Sequence, residues 1–257
     1  MTALARVLHT EALKLKRTIA WKMVFLAPLA VVLLVMFMAV NAPFSMVMRG
    51  GPGREWAGLA QVTFLFWAAL MMPLYITLQC ALVAGVDHAE NQWKSLFARP
   101  APRWTWYAAK LIVVMIMLAV SSIVLLCGIL TAAVLLPWLQ PELAFRLPVP
   151  WASLQLQALQ IAVLALLALA IQHFVSLWWR SFSVAMGVGI VALVVGYVAT
   201  VSTNQTPGWP QYFPWSLPML VLSKHPQDVA GALWISVILG VSVTALGCVV
   251  FCRREVS

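Results

Sequence analysis

Residues 111–136 read LIVVMIMLAVSSIVLLCGILTAAVLL, an apolar run without one charged side chain. A helix needs roughly 20 apolar residues to cross a bilayer's hydrocarbon core, so this run spans it with length left to tilt or project. Outward from it lie five more such runs, at 21–40, 59–84, 154–178, 184–201 and 229–251. A mean hydropathy of +0.96 with 9% charged residues excludes a soluble globular domain. Six spans take up most of the chain, so residues 1–257 read as one all-α polytopic membrane domain. Residues 40–42 resemble a cleavage site, but the basic segment ahead of the first run is too long for a secretory signal, and the run reads as a retained anchor.

The net charge of +9 is distributed by topology. Arg6, Lys14, Lys16, Arg17 and Lys22 precede or open the first run. Lys94, Arg99, Arg103 and Lys110 lie between the second run and the foot of the third, Arg180 lies between the fourth and fifth, and Arg253 and Arg254 end the chain. The opposite side holds Arg49, Arg54, Arg146 and Lys224. Bases gather on the cytoplasmic side of membrane proteins, so both termini are expected there. The basic surplus reports orientation and contact with anionic lipid, not nucleic acid.

Between the second and third spans, Asp87 to Arg103 carries acids at its head and bases at its tail. Asp87 and Glu90 are spaced as an N-cap and its third residue, and Trp93, Leu96 and Phe97 share one helical face, with Asn91 and Lys94 turned away. Pro100 and Pro102 stop the pattern. The expectation is an amphipathic cytoplasmic helix at 87–98 that docks a soluble partner. Leu4, Leu8, Ala12, Leu15 and Ile19 form a stripe over residues 2–19, expected to be an interfacial helix on the inner leaflet. Between the fifth and sixth spans, Pro207, Pro210, Pro214 and Pro218 alternate with Trp209, Tyr212, Phe213 and Trp215. That proline density excludes regular helix, and a broken or re-entrant outer element is expected.

Within the spans, Ala185, Gly189, Ala192, Gly196 and Ala199 line one face of the fifth, as either an intramolecular contact or a subunit seam. Span six has a shorter version in Ser236, Gly240, Thr244 and Gly247. His173 and Gln172 are read as hydrogen-bonded inside the bundle. Ser153, Gln157 and Gln160 form a polar stripe on span four, read as a helix contact in preference to a cavity lining. Cys80, Cys127, Cys248 and Cys252 are read as small apolar side chains, not a disulfide or metal set. No catalytic constellation, metal site or phosphate-cradling GxxxxGK[ST] occurs, so any ATP-driven work draws on another subunit. Asp87, Glu90 and Glu11 read as cytoplasmic and Glu55, Glu142 and Asp228 as outer-loop acids, with none in the membrane interior, which argues against ion coupling.

Three segments in register resemble a known family: Glu11 to Arg17 leading into span one, Glu90 to Pro100 with Arg103 and Lys110 before span three, and Tyr212 to Pro218 before span six. They resemble the permease subunit of a type-2 ABC exporter, near the lantibiotic and bacteriocin immunity and export branch that confers antimicrobial peptide resistance. The resemblance implies a dimer of permeases, identical or paralogous, in a bacterial inner membrane. It implies a cytoplasmic ABC ATPase dimer holding ATP and Mg, with no cofactor and no enzymatic activity on this chain. It makes Asp87, Glu90, Asn91, Trp93, Lys94, Leu96, Phe97, Arg99 and Arg103 the main ATPase contact, with Trp179 and Arg180 a second. The stripe on span five becomes part of the dimer seam, and Trp209, Tyr212, Phe213, Pro214 and Trp215 an outer gate. The expected function is outward movement of an amphipathic or hydrophobic substrate (peptide, drug or lipid-like). The alternative is a non-transporting membrane scaffold that recruits a cytoplasmic partner through the same loop.

Overall fold

Where the sequence runs apolar the chain is helical, because in lipid only a helix satisfies every backbone N–H and C=O within one segment. The computed structural model describes residues 2–16, 18–41, 54–89, 102–141, 143, 145, 147–202, 209–222 and 227–253. Helix α1 (Ala3–Leu15) opens the chain, with the Thr2 hydroxyl accepting from the Ala5 N–H at 3.4 Å. Six helices long and apolar enough to cross a membrane follow. They are α2 (Ile19–Val40), α3 (Glu55–Phe66, Trp67–Met71 and Met72–Ala89), α4 (Arg103–Leu139), α5 (Trp151–Leu164 and Leu166–Trp178), α6 (Phe182–Ser202) and α7 (Gln227–Arg253). Each reaches beyond its apolar run at one or both ends. Among the described residues there is no strand.

Two of these helices bend, for different reasons. In α3, Trp67–Met71 is a π-turn whose closing bond runs from the Met72 N–H to the Trp67 carbonyl. Pro73 follows directly; its ring would clash with the carbonyl four residues back, and the wider turn makes room for it. In α5 the break at Ala165 has no proline or glycine to explain it. Its cause lies in α7: the Ser236 hydroxyl accepts from the Leu167 N–H at 3.3 Å and lies 2.9 and 3.0 Å from the Val163 and Leu164 carbonyls. A side chain inserted into the ladder opens a helix at that point.

Helix α4 packs along α2, α3 packs between α5 and α6, and α7 lies against the second half of α5. Phe64, Trp67, Met72 and Tyr75 of α3 meet Val31 and Ile129 in the largest apolar cluster. Short polar ties stitch the helices: Gln79 donates to the Ala20 carbonyl at 2.9 Å, Ser121 to Val24 at 2.9 Å and Gln172 to Ala185 at 2.8 Å. Each satisfies a side chain that would be costly to leave unpaired in an apolar interior.

The small-residue faces are used inside the chain. A Cβ on Gly189 would lie 2.3 Å from the Thr77 hydroxyl of α3, and one on Gly247 would lie 2.5 Å from the Tyr107 hydroxyl of α4. Ala185, Gly189 and Gly196 are buried against α3, α5 and the segment after α6. Of the two readings of Ala185, Gly189, Ala192, Gly196 and Ala199, an intramolecular contact is the one seen at Ala185, Gly189 and Gly196, where the close approach is to neighbours of the same chain. The opposite face of α6, with Val188, Val191, Val195 and Val198, is exposed.

Candidate functional site

The two ends of the bundle differ in kind. At one end, α1 lies across the foot of α4, with Val7 packed on Trp106 and Ala109. Its buried residues are Val7, Glu11 and Leu15. Ala12 is exposed and Ile19 belongs to α2, so the face in use is rotated from the expected stripe.

A closed ring of four charges sits beneath this helix. Lys14 Nζ lies 2.9 Å from Glu11 Oε1 and 2.8 Å from Asp87 Oδ1. Lys110 Nζ lies 2.5 Å from Glu11 Oε2 and forms an ion pair with Asp87 Oδ2. Every carboxylate oxygen meets one ammonium, and each ammonium bridges both acids. Asp87 and Lys110 are fully buried, as is Glu11. Isolated ions cannot be held in such a place, since removing a charge from water costs several kcal/mol even after relaxation. Two acids and two bases in alternation offset that cost, and the ring has zero net charge. Lys14 also lies 5.8 Å over the Trp106 ring. Burial pulls the Lys14 pKa down, but the hydrogen bond to Asp87 and the Glu11 charge outweigh it and hold the value above the ordinary 10.5.

The structure changes two expectations here. Asp87 is not the N-cap of a new helix: α3 runs through it to Ala89, and the Asp87 side chain is buried with that of Glu11. Arg103 is not in a free loop: it opens α4 and donates to the Cys252 carbonyl at 3.1 Å, at the end of α7. Glu90, Asn91, Trp93, Lys94, Leu96, Phe97 and Arg99 lie outside the described residues. The ring itself escaped sequence reasoning because its members come from three helices, with Glu11 and Lys110 separated by 99 residues.

Trp179 and Arg180 lie in the exposed turn between α5 and α6, at the same end. They border a groove of about 170 Å³ with Ala81 and Gly85 of α3 and Phe182 of α6. His173 is buried in the bundle, its Nε2 3.2 Å from the Tyr107 carbonyl and its ring 4.7 Å from the Tyr107 ring. A carbonyl only accepts, so Nε2 carries the proton, as expected for a histidine serving packing.

At the opposite end, two 3-10 turns, Trp209–Tyr212 and Leu217–Leu222, replace regular helix. Phe213 and Trp215 sit against α6, where a Cβ on Gly196 would lie 3.1 and 3.4 Å from their atoms. Trp215 is buried, while Trp209 and Tyr212 are exposed and Pro214 lies between Phe213 and Trp215 in the connecting turn. Nearby, a cavity of about 430 Å³ opens between α3, α5 and the second 3-10 turn. Ser153 and Gln157 line it with Gln61, whereas Gln160 does not. The stripe on span four therefore faces a cavity in its first two members, contrary to the expected helix contact.

The chain is a multi-pass helical membrane protein with charge locked at one end and a cavity at the other. The sequence comparison names the kind: residues 7–196 match the family model described as ABC-2 family transporter protein, and the chain belongs to that family. Membership implies pairing with an ATP-binding subunit. No curated protein and no solved structure matches the chain.

Proposed function

We infer that this chain is the membrane permease of an ABC exporter, carrying an amphipathic or hydrophobic compound outward through a bacterial inner membrane with ATP hydrolysed on a separate subunit. The observation that carries this reading beyond the family is the Glu11–Lys14–Asp87–Lys110 ring. It clamps α1, the last turn of α3 and the foot of α4, so both roots of segment 90–101 are tied to one rigid body. A displacement imposed on that segment by an ATPase closing on ATP then moves α3 and α4 together. Glu90, Trp93, Leu96 and Phe97 supply the ATPase contact, and the Trp179–Arg180 turn supplies a second.

In this reading α1 lies at the inner leaflet and both termini are cytoplasmic, which agrees with α1 and the end of α7 sharing the charged end. A second permease packs on the open faces of α2 and α6, through side chains such as Leu29, Leu33, Val191 and Val198, all exposed here. The Trp209–Trp215 segment closes the outer end of the path. A peptide cargo, with the attendant antimicrobial resistance, is the form of substrate the resemblance favours.

Affinity purification from the native host in mild detergent tests the reading. A stoichiometric nucleotide-binding subunit should co-purify and be lost when Glu90→Ala and Trp93→Ala are combined. Export and complex formation that survive both changes would remove the coupling assignment. A preparation with no such subunit, under conditions that keep ABC complexes whole, would favour the scaffold.

A further inference from the structure

The cavity at the end opposite the charge ring has a chemistry of its own. Its floor is apolar, from Ala60 and Leu154 to Val221 and Leu222 of the 3-10 turn, and none of the described residues lining it is ionisable. Gln61 of α3 and Gln157 of α5 both line it. Each lies six residues into its helix, counted from Glu55 and from Trp151. At 1.5 Å per residue each is about 9 Å along its own helix from that end. Neither makes a hydrogen bond to any described residue, whereas the neighbouring polar groups are occupied: Ser153 donates to the Pro150 carbonyl at 2.9 Å and Trp56 Nε1 to the Leu147 carbonyl at 3.0 Å.

Gln61 is exposed and Gln157 half-buried, so both carboxamides are open to a ligand, which gains their hydrogen bonds without breaking a contact to a described residue. Each offers a donor pair and an acceptor, so the matching group is one that both gives and takes a hydrogen bond, such as a hydroxyl or an amide. Among the described lining residues an ion would find no countercharge. The volume of about 430 Å³ lies in the range of small-molecule sites. We propose that the Gln61–Gln157 cavity binds an uncharged amphiphile, its hydroxyl or amide groups between the two carboxamides and its apolar chain along Leu154, Val221 and Leu222. The site belongs to this chain alone and stands whether or not an ATPase partner is found.

Photolabelling of the purified chain in nanodiscs tests this with three probes that share one diazirine-bearing alkyl chain: a monoacylglycerol, a fatty-acid carboxylate and a trimethylammonium. The monoacylglycerol should label residues 56–61 and 153–157 at least about fivefold more than either ion, the margin of one or two hydrogen bonds. Gln61→Leu with Gln157→Leu should bring it down to the level of the ions. Gln157→Lys should raise carboxylate labelling above that of the unaltered chain, a gain that misfolding cannot imitate. Labelling indifferent to probe charge, or unmoved by the double substitution, would overturn the proposal. So would failure of Gln157→Lys to recruit the carboxylate.

Discussion

The charged end and the cavity end solve the same problem in opposite ways. Both place polar groups among apolar helices, buried at the charged end and open at the cavity end. At the charged end all four charges of the ring find partners within the chain, and Lys110, the most demanding of them, meets two carboxylates. At the cavity end two carboxamides are left without a partner among the described residues. Saturation makes the first region rigid and suited to passing on a push. Incompleteness leaves the second able to take up something from outside. A polar group that is satisfied at home is structural, and one that is not is an invitation.

The contrast makes quantitative demands. Lys110→Ala leaves Glu11 and Asp87 facing one base between them and should destabilise the protein by about 3–5 kcal/mol. Exchanging charges, Asp87→Lys with Lys110→Asp, keeps the ring neutral and should recover part of that loss. Thermal unfolding in detergent checks both, and a Lys110→Ala protein as heat-resistant as the parent would show that the ring carries no weight.

Between the two ends, helix approach should be governed by space. Gly189→Ala drives a methyl into Thr77 and should cost about 1–3 kcal/mol, while Gly187→Ala, with nothing within 4 Å, should be neutral or slightly stabilising. Equal effects at the two glycines would mean that α6 is not held against α3. Ser236→Ala should cost about 1 kcal/mol and return the Leu167 N–H to its own helix, visible as slower hydrogen exchange at Leu167. Unchanged exchange there would place the origin of the bend elsewhere.

The smallest effect belongs to the cavity end. Gln61→Leu and Gln157→Leu remove no protein partner and should leave thermal stability within about 0.5 kcal/mol of the parent, or raise it. A large loss would mean that the carboxamides are structural after all, and the contrast would collapse. Acid–base behaviour gives a further check. The Lys14 pKa is raised above 10.5, so its contribution to holding α1 is complete below 10.5 and lost only as pH climbs through the higher folded value. Proteolytic release of α1 should stay constant from neutral pH to 10, and release beginning near pH 8 would contradict the assignment.

The six spans were legible because hydropathy over 20 residues is a local property, and the structure places a helix on each. Their ends were less so: Trp104, Trp106 and Tyr107 extend α4 below the apolar run, and Lys110 reads as a boundary although it is buried. Spacing identified the small face of α6 but not what packs on it, because periodicity says which residues share a side and not what lies opposite. The bend in α5 was invisible, since its cause is a serine on another helix. The ring was hidden by the same distance in sequence: Lys14 and Asp87 are 73 residues apart, and each looks like a loop charge until α1 folds back over α4.

The neutrality of that ring bears on how the protein sits in an energised membrane. A single ammonium carried through the full transmembrane potential exchanges about 2.3 kcal/mol per 100 mV, so a lone Lys110 would act as a voltage sensor. Locked to Glu11, Lys14 and Asp87, it moves as part of a body with no net charge. The electric field exerts almost no net force on that body. Its displacement is left to whatever pulls on the helices, and a cell whose membrane potential collapses would not change the work needed to move it.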